Sequence, residues 1–159
     1  MTKQELYLKT MFCCMACDGD IAKEEIELVK AKAKEYSDFK GLNVENFLNK
    51  YVEGINRSGS LFLKRYLNEI SNSELTKEDE LKIVNLSIEM IEADNNIEYS
   101  EVKFFKKIRS RLSVSDEKIL ELHPDKEDFL LPDINVSEDP EWDSNIIFKN
   151  ITINNIEAS

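Results

Sequence analysis

A chain of 159 residues with 42% hydrophobic and 33% charged side chains has the make-up of one globular domain, long enough to bury a core without disulfides. No apolar run approaches the roughly 18 residues of a membrane span, and Met1-Thr2-Lys3-Gln4-Glu5 lacks the flank of a secretory signal, so a cytoplasmic protein without membrane insertion is expected. The formal charge of −11, of which −7 falls in residues 123–159, argues against nucleic acid as a partner and favours cations or a basic protein face.

Four glycines and three prolines point to helices rather than a turn-dense β fold. Residues 3–17 read as a helix that is apolar around much of its surface, with Leu6, Leu8, Met11, Phe12, Met15 and Ala16, as a central buried element would be. A turn over Asp18–Ile21 leads to a second helix over about 22–36, with Ile26, Val29 and Ala33 on one stripe. Val44, Phe47, Leu48, Tyr51 and Ile55 mark a third helix over 43–55, which Asn56-Arg57-Ser58-Gly59 ends as a turn. Phe62, Leu63, Tyr66, Leu67 and Ile70 mark a fourth. Thr76 reads as the N-cap of a fifth helix, acidic in its first turn, with Leu81, Val84, Ile88 and Ile91 inward. A sixth carries Val102, Phe105, Ile108 and Leu112, and a short seventh starts near Ser115 with Ile119 and Leu122. The fold class is therefore all-α, with about seven helices in residues 1–122.

Residues 123–159 differ in kind. Pro124, Pro132 and Pro140 break helical periodicity, and Ile146–Ile153 is β-branched and strand-like. Phe129, Trp142 and Phe148 make this acidic extended tail too apolar to stay solvated, so it is expected to dock on its own body or on a neighbouring copy. The basic cluster Lys103, Lys106, Lys107, Arg109 and Arg111 on the sixth helix is the expected seat. Exchange of residues 144–156 between chains would make a homo-oligomer.

The pattern Asp-[Gly/Asn]-x-Ile-x-x-x-Glu occurs twice, at Asp18–Glu25 and Asp94–Glu101, each time between two helices and 76 residues apart. Gly19 and Asn95 suit the positive φ of a helix end, Ile21 and Ile97 suit hydrophobic staples, and Glu25 and Glu101 suit the first helical turn. Nearly every letter is thus explained as a helix–turn–helix joint. What remains is a concentration of carboxylates: with pseudo-two-fold packing, Asp18, Asp20, Glu25, Asp94 and Glu101 could converge on a hard cation such as calcium, magnesium or manganese. An EF-hand is not the explanation, because its early ligand positions would fall on Cys14 and Ala16.

Cys13, Cys14 and Cys17 lack the further ligands a zinc site needs and lie on the most apolar helix, where core packing is expected. His123 is the sole histidine and has no evident triad partners. A metal- or thiol-dependent enzyme is the alternative to a non-enzymatic module.

With Ala16-Cys17-Asp18-Gly19-Asp20-Ile21-x-x-x-Glu25 and its second copy Ala93-Asp94-Asn95-Asn96-Ile97-x-x-x-Glu101, the chain resembles the TerB family of tellurite-resistance and stress-response proteins over residues 1–122. It departs from the family at Asn95, Ala22 and Glu98. The resemblance implies a seven-helix body with a pseudo-two-fold repeat and a charged, metal-binding surface. It also implies a non-enzymatic binding or scaffold role in a bacterial stress-response or defence assembly, with a basic or membrane-associated protein complex as partner.

Overall fold

In the computed structural model, residues 2–35, 39–93, 95–132, 147–149 and 151 are described, and among them the chain is all-helical. Seven α-helices follow in order: α1 (Lys3–Ala16), α2 (Lys23–Glu35), α3 (Val44–Ser58), α4 (Ser60–Asn72), α5 (Lys77–Glu92), α6 (Tyr99–Arg109) and α7 (Asp116–Leu122), then a 3-10 turn, Glu127–Leu130.

The breadth of α1's apolar surface is what makes it central. Ten of its fourteen residues are buried, and it packs against α3, α4, α5 and α6, most extensively against α5. Thr2 caps it by accepting the Glu5 N–H. At the start of α5, Thr76 and Asp79 form a reciprocal capping box: the Asp79 N–H donates to the Thr76 hydroxyl at 3.1 Å, and the Thr76 N–H to the Asp79 carboxylate at 2.9 Å. The same carboxylate accepts the Tyr7 hydroxyl at 2.9 Å and pairs with Lys3 at 2.6 Å. Farther along, Cys14 meets Ser87. Contacts 7–79 and 14–87 advance together, so α1 and α5 run side by side in the same direction, and the joints that follow them lie at the same end of the pair.

The α3–α4 hairpin covers α1's other side. Phe12 sits 5.6 Å from the Tyr51 ring and 5.7 Å from the Phe62 ring, in the range where tilted aromatic pairs attract. The expected turn at Asn56–Gly59 is shorter in fact: α3 runs on through Ser58, and Gly59 alone, at φ 61, makes the reversal. The sixth helix likewise ends at Arg109, leaving Leu112 buried in the following loop. That loop is anchored by Glu80, which is buried and accepts the Ser113 and Val114 N–H groups, each at 2.8 Å.

The tail divides. Its start packs on α6, with the Phe129 and Phe105 rings 5.6 Å apart, and Lys126 pairs with Glu92. Residues 147–149 and 151, which have no regular secondary structure, lie on α3 instead of the basic stripe: Phe148 and Ile151 join the core, and Asn56 and Asn49 bond their main chains. The rest of the strand-like Ile146–Ile153 reading, and Trp142, lie outside the described residues.

Candidate functional site

Two hydrogen bonds of the first joint recur in the second under the 76-residue shift. The Gly19 N–H donates to the Ala16 carbonyl at 3.0 Å, and the Asn95 N–H to Glu92 at 3.1 Å. Gly19 has φ 90 and Asn95 φ 59, the left-handed conformation that closes a helix. On the far side, Glu25 Oε1 accepts the Ala22 N–H at 2.7 Å, and Glu101 Oε1 accepts the Glu98 N–H at 2.9 Å. Each glutamate is 4% exposed. These are the backward halves of capping boxes, in which the third helical residue satisfies an orphan donor at the helix start. The staple differs between copies: Ile21 packs against the core, whereas Ile97 is 45% exposed.

Because α1 and α5 run parallel, the joints come near one another. Asp18 feels the charge of Glu98, and Glu25 and Glu101 both act on the Cys14 and Cys17 thiols. Asp18 Oδ1 accepts the Asp20 N–H at 3.1 Å, an Asx turn. Partial burial, with Asp20 and Glu98 adding to it, raises the Asp18 pKa above the ordinary carboxylate value. Asp20 is exposed. Asp94 lies outside the described residues, and among those described no group of three or more His, Cys, Asp or Glu side chains is arranged to hold a metal ion. Glu25 and Glu101 are each engaged in a cap, which leaves Asp18, Asp20 and Glu24 as the solvent-facing carboxylates of the first joint. Beside the second, Ile97 and Tyr99 stand exposed.

Cys13, Cys14 and Cys17 are free thiols and all buried. Burial, followed by the carboxylates of Glu25 and Glu101, pushes Cys14 up to about 12, and burial raises Cys13 and Cys17 well above the ordinary thiol value. They are protonated at neutral pH and are not nucleophiles there. His123 closes α7 and bonds Asn85 through Nε2 at 2.7 Å. The basic stripe of α6 is partly structural: Lys107 is buried, Arg109 pairs with Asp116 at 2.8 Å, and Arg111 donates to the Lys107 carbonyl. No helix among the described residues is long and apolar enough to cross a membrane.

Asn49 and Asn56 carry a role that no motif signalled. Their one trace in the sequence is a spacing of seven on the outer side of an amphipathic helix. No family model matches the chain, and neither a curated protein nor a solved structure does.

Proposed function

We propose that this chain is a non-enzymatic, TerB-like binding module of a bacterial stress-response or defence assembly. It engages a basic protein face or a divalent cation at the edge of its paired joints. The observation that carries the reading is the arrival of two equivalent joints at one end of a parallel helix pair, where Asp18 holds a charge that its surroundings disfavour. A group destabilised by its own ionisation is relieved by a cation. Exposed Ile97 and Tyr99 beside it supply apolar contact area for a protein partner. Protonated, enclosed thiols and a histidine tied to Asn85 leave a thiol enzyme without a ready nucleophile, which supports the non-catalytic choice.

Calorimetric titration of the chelator-stripped protein with calcium, magnesium and manganese tests the cation. Saturable heat that is lost in the Asp18→Asn/Asp94→Asn variant, with helical content kept, is the expected result. No heat up to millimolar metal removes the cation and leaves the basic protein face as the partner.

A further inference from the structure

At the end of the helix pair away from the joints, α1 and α4 leave a cleft. The two helices are antiparallel, with Lys9 meeting Glu69, Thr10 meeting Tyr66 and Phe12 meeting Phe62, so the end of α4 arrives beside the start of α1. The cleft between them has a volume of about 590 Å³; Lys3 lines one wall, and Asn68, Glu69, Asn72 and Glu74 line the other. That is roughly the volume of twenty liquid waters, room for a short peptide.

The charged groups are held from behind and keep bonding capacity to spare. An ammonium has three donors, and Asp79 takes one of Lys3's at 2.6 Å while the side chain stays 50% exposed. Lys9 occupies Glu69 Oε1 at 2.5 Å, which leaves Oε2 with its lone pairs. Glu74 is exposed and makes no ion pair among the described residues. A fixed positive group thus stands on one wall and two carboxylates on the other. Between them, Asn68 and Asn72 lie one turn apart on α4, both exposed and without a hydrogen-bond partner among the described residues.

The same chain shows what a helical asparagine does with main chain. Asn56 Oδ1 accepts the Phe148 N–H at 2.8 Å, and its Nδ2 donates to the Phe148 carbonyl at 3.0 Å. Asn49 treats Ile151 alike, at 2.7 and 2.9 Å. Asn68 and Asn72 have the same donors and acceptors with nothing yet to read. Their separation along α4, about 6 Å, is close to two residues of extended chain.

We propose that this cleft binds a short free peptide in its zwitterionic form. Lys3 holds the terminal carboxylate, Glu74 and Glu69 hold the terminal ammonium, and Asn68 and Asn72 bond the peptide units between. Charge-assisted bonds at both ends select a ligand whose termini are both free, and a single amino acid lacks the peptide unit that the asparagines require. The cleft uses none of the joint residues, so its failure would leave the joint reading standing.

The probe is trialanine, titrated into the isotope-labelled full chain and followed by amide resonances. Saturable shifts of the Asn68 and Asn72 side-chain signals are expected. Acetylating the peptide's amino end or amidating its carboxyl end should each weaken binding at least five-fold, and free alanine should not saturate over the same range. Asn68→Leu/Asn72→Leu, at exposed positions, is expected to lose at least ten-fold. In Lys3→Met the free and amidated peptides should bind alike, a ratio that any loss of stability leaves untouched. No saturation at tens of millimolar trialanine, or a preference for the free carboxylate that survives Lys3→Met, overturns the proposal. So does indifference to blocking either end, because the cleft would then read the terminus of a longer chain.

Discussion

Asp18 and Asp79 are carboxylates at opposite ends of the same helix pair, and their surroundings push them in opposite directions. For Asp79 the Lys3 ammonium is the largest influence, followed by the Thr76 N–H and the Tyr7 and Thr76 hydroxyls, and together they hold its pKa well below the usual range. A depressed folded pKa means stability that is present above the unfolded value, about 3.9, and lost as pH falls through the folded one. Asp79→Asn is therefore expected to lower stability at pH 7 by about 1 kcal/mol, the scale of a lost cap. In urea titrations the gap to the native chain should narrow steadily below pH 4. Asp18 has the reverse sign: its raised pKa favours the protonated form, so its contribution is full below the unfolded value and is lost as pH rises through the folded one. Asp18→Asn keeps the acceptor for the Asp20 N–H and removes the charge, so the melting temperature at pH 7 should rise. Solvent screening keeps the gain below about 1 kcal/mol. It should vanish at pH 3, and a gain of equal size at both pH values would refute the electrostatic account.

At the scale of elements, the joints and the α3–α4 hairpin show where local rules are enough. Glu25→Ala should cost about 1 kcal/mol, since the Ala22 N–H loses its acceptor, while Glu25→Gln retains the bond and should recover most of it in thermal melts. Gly54 sets two effects against each other. Alanine there gains up to about 1 kcal/mol in helix propensity, but its Cβ would sit 2.8 Å from the Phe62 ring. That ring is wedged against Phe12 and Tyr51, and overpacking of this kind typically costs about 1–3 kcal/mol. Clash should win, and a Gly54→Ala chain as stable as the native one would show that the ring can swing away. Helical periodicity made α1 and α5 legible, because a helix buried on most sides needs apolar residues on most sides. The joints were legible because few residues tolerate positive φ and few reach back to cap. Helix ends were less so: Asn56-Arg57-Ser58 has turn-forming composition, yet it stays helical until Gly59 supplies the only backbone able to reverse. Residues 147–149 and 151 escaped for a different reason. Their β-branched composition reports a preference for extended chain but not which groups satisfy that chain, and the two asparagines that do so lie about a hundred residues away.

For the molecule as a whole, the decisive fact is that the chain's three thiols all sit on, or directly after, the helix that the other elements enclose. Cys13, Cys14 and Cys17 are 0%, 1% and 3% exposed. No fraying of an end or opening of a surface loop uncovers α1, because α3, α4, α5 and α6 all pack on it. Among the described residues, exposing the thiols takes dismantling of the core, so their protection is expected to approach the global unfolding free energy. Labelling with an aromatic disulfide reagent at pH 8 should find no reactive thiol in the native chain. With increasing urea all three should react together, at a rate whose logarithm rises with the slope of the unfolding transition. The joint carboxylates give the same experiment a second handle. Glu25 and Glu101 are among the causes that keep Cys14 protonated, yet burial is the larger one, so Glu25→Gln should leave native labelling negligible and accelerate it only through lost stability. One thiol labelling ahead of the others in the native chain would break this account, since it would mean that α1 is reachable without unfolding and that a cysteine is available for chemistry.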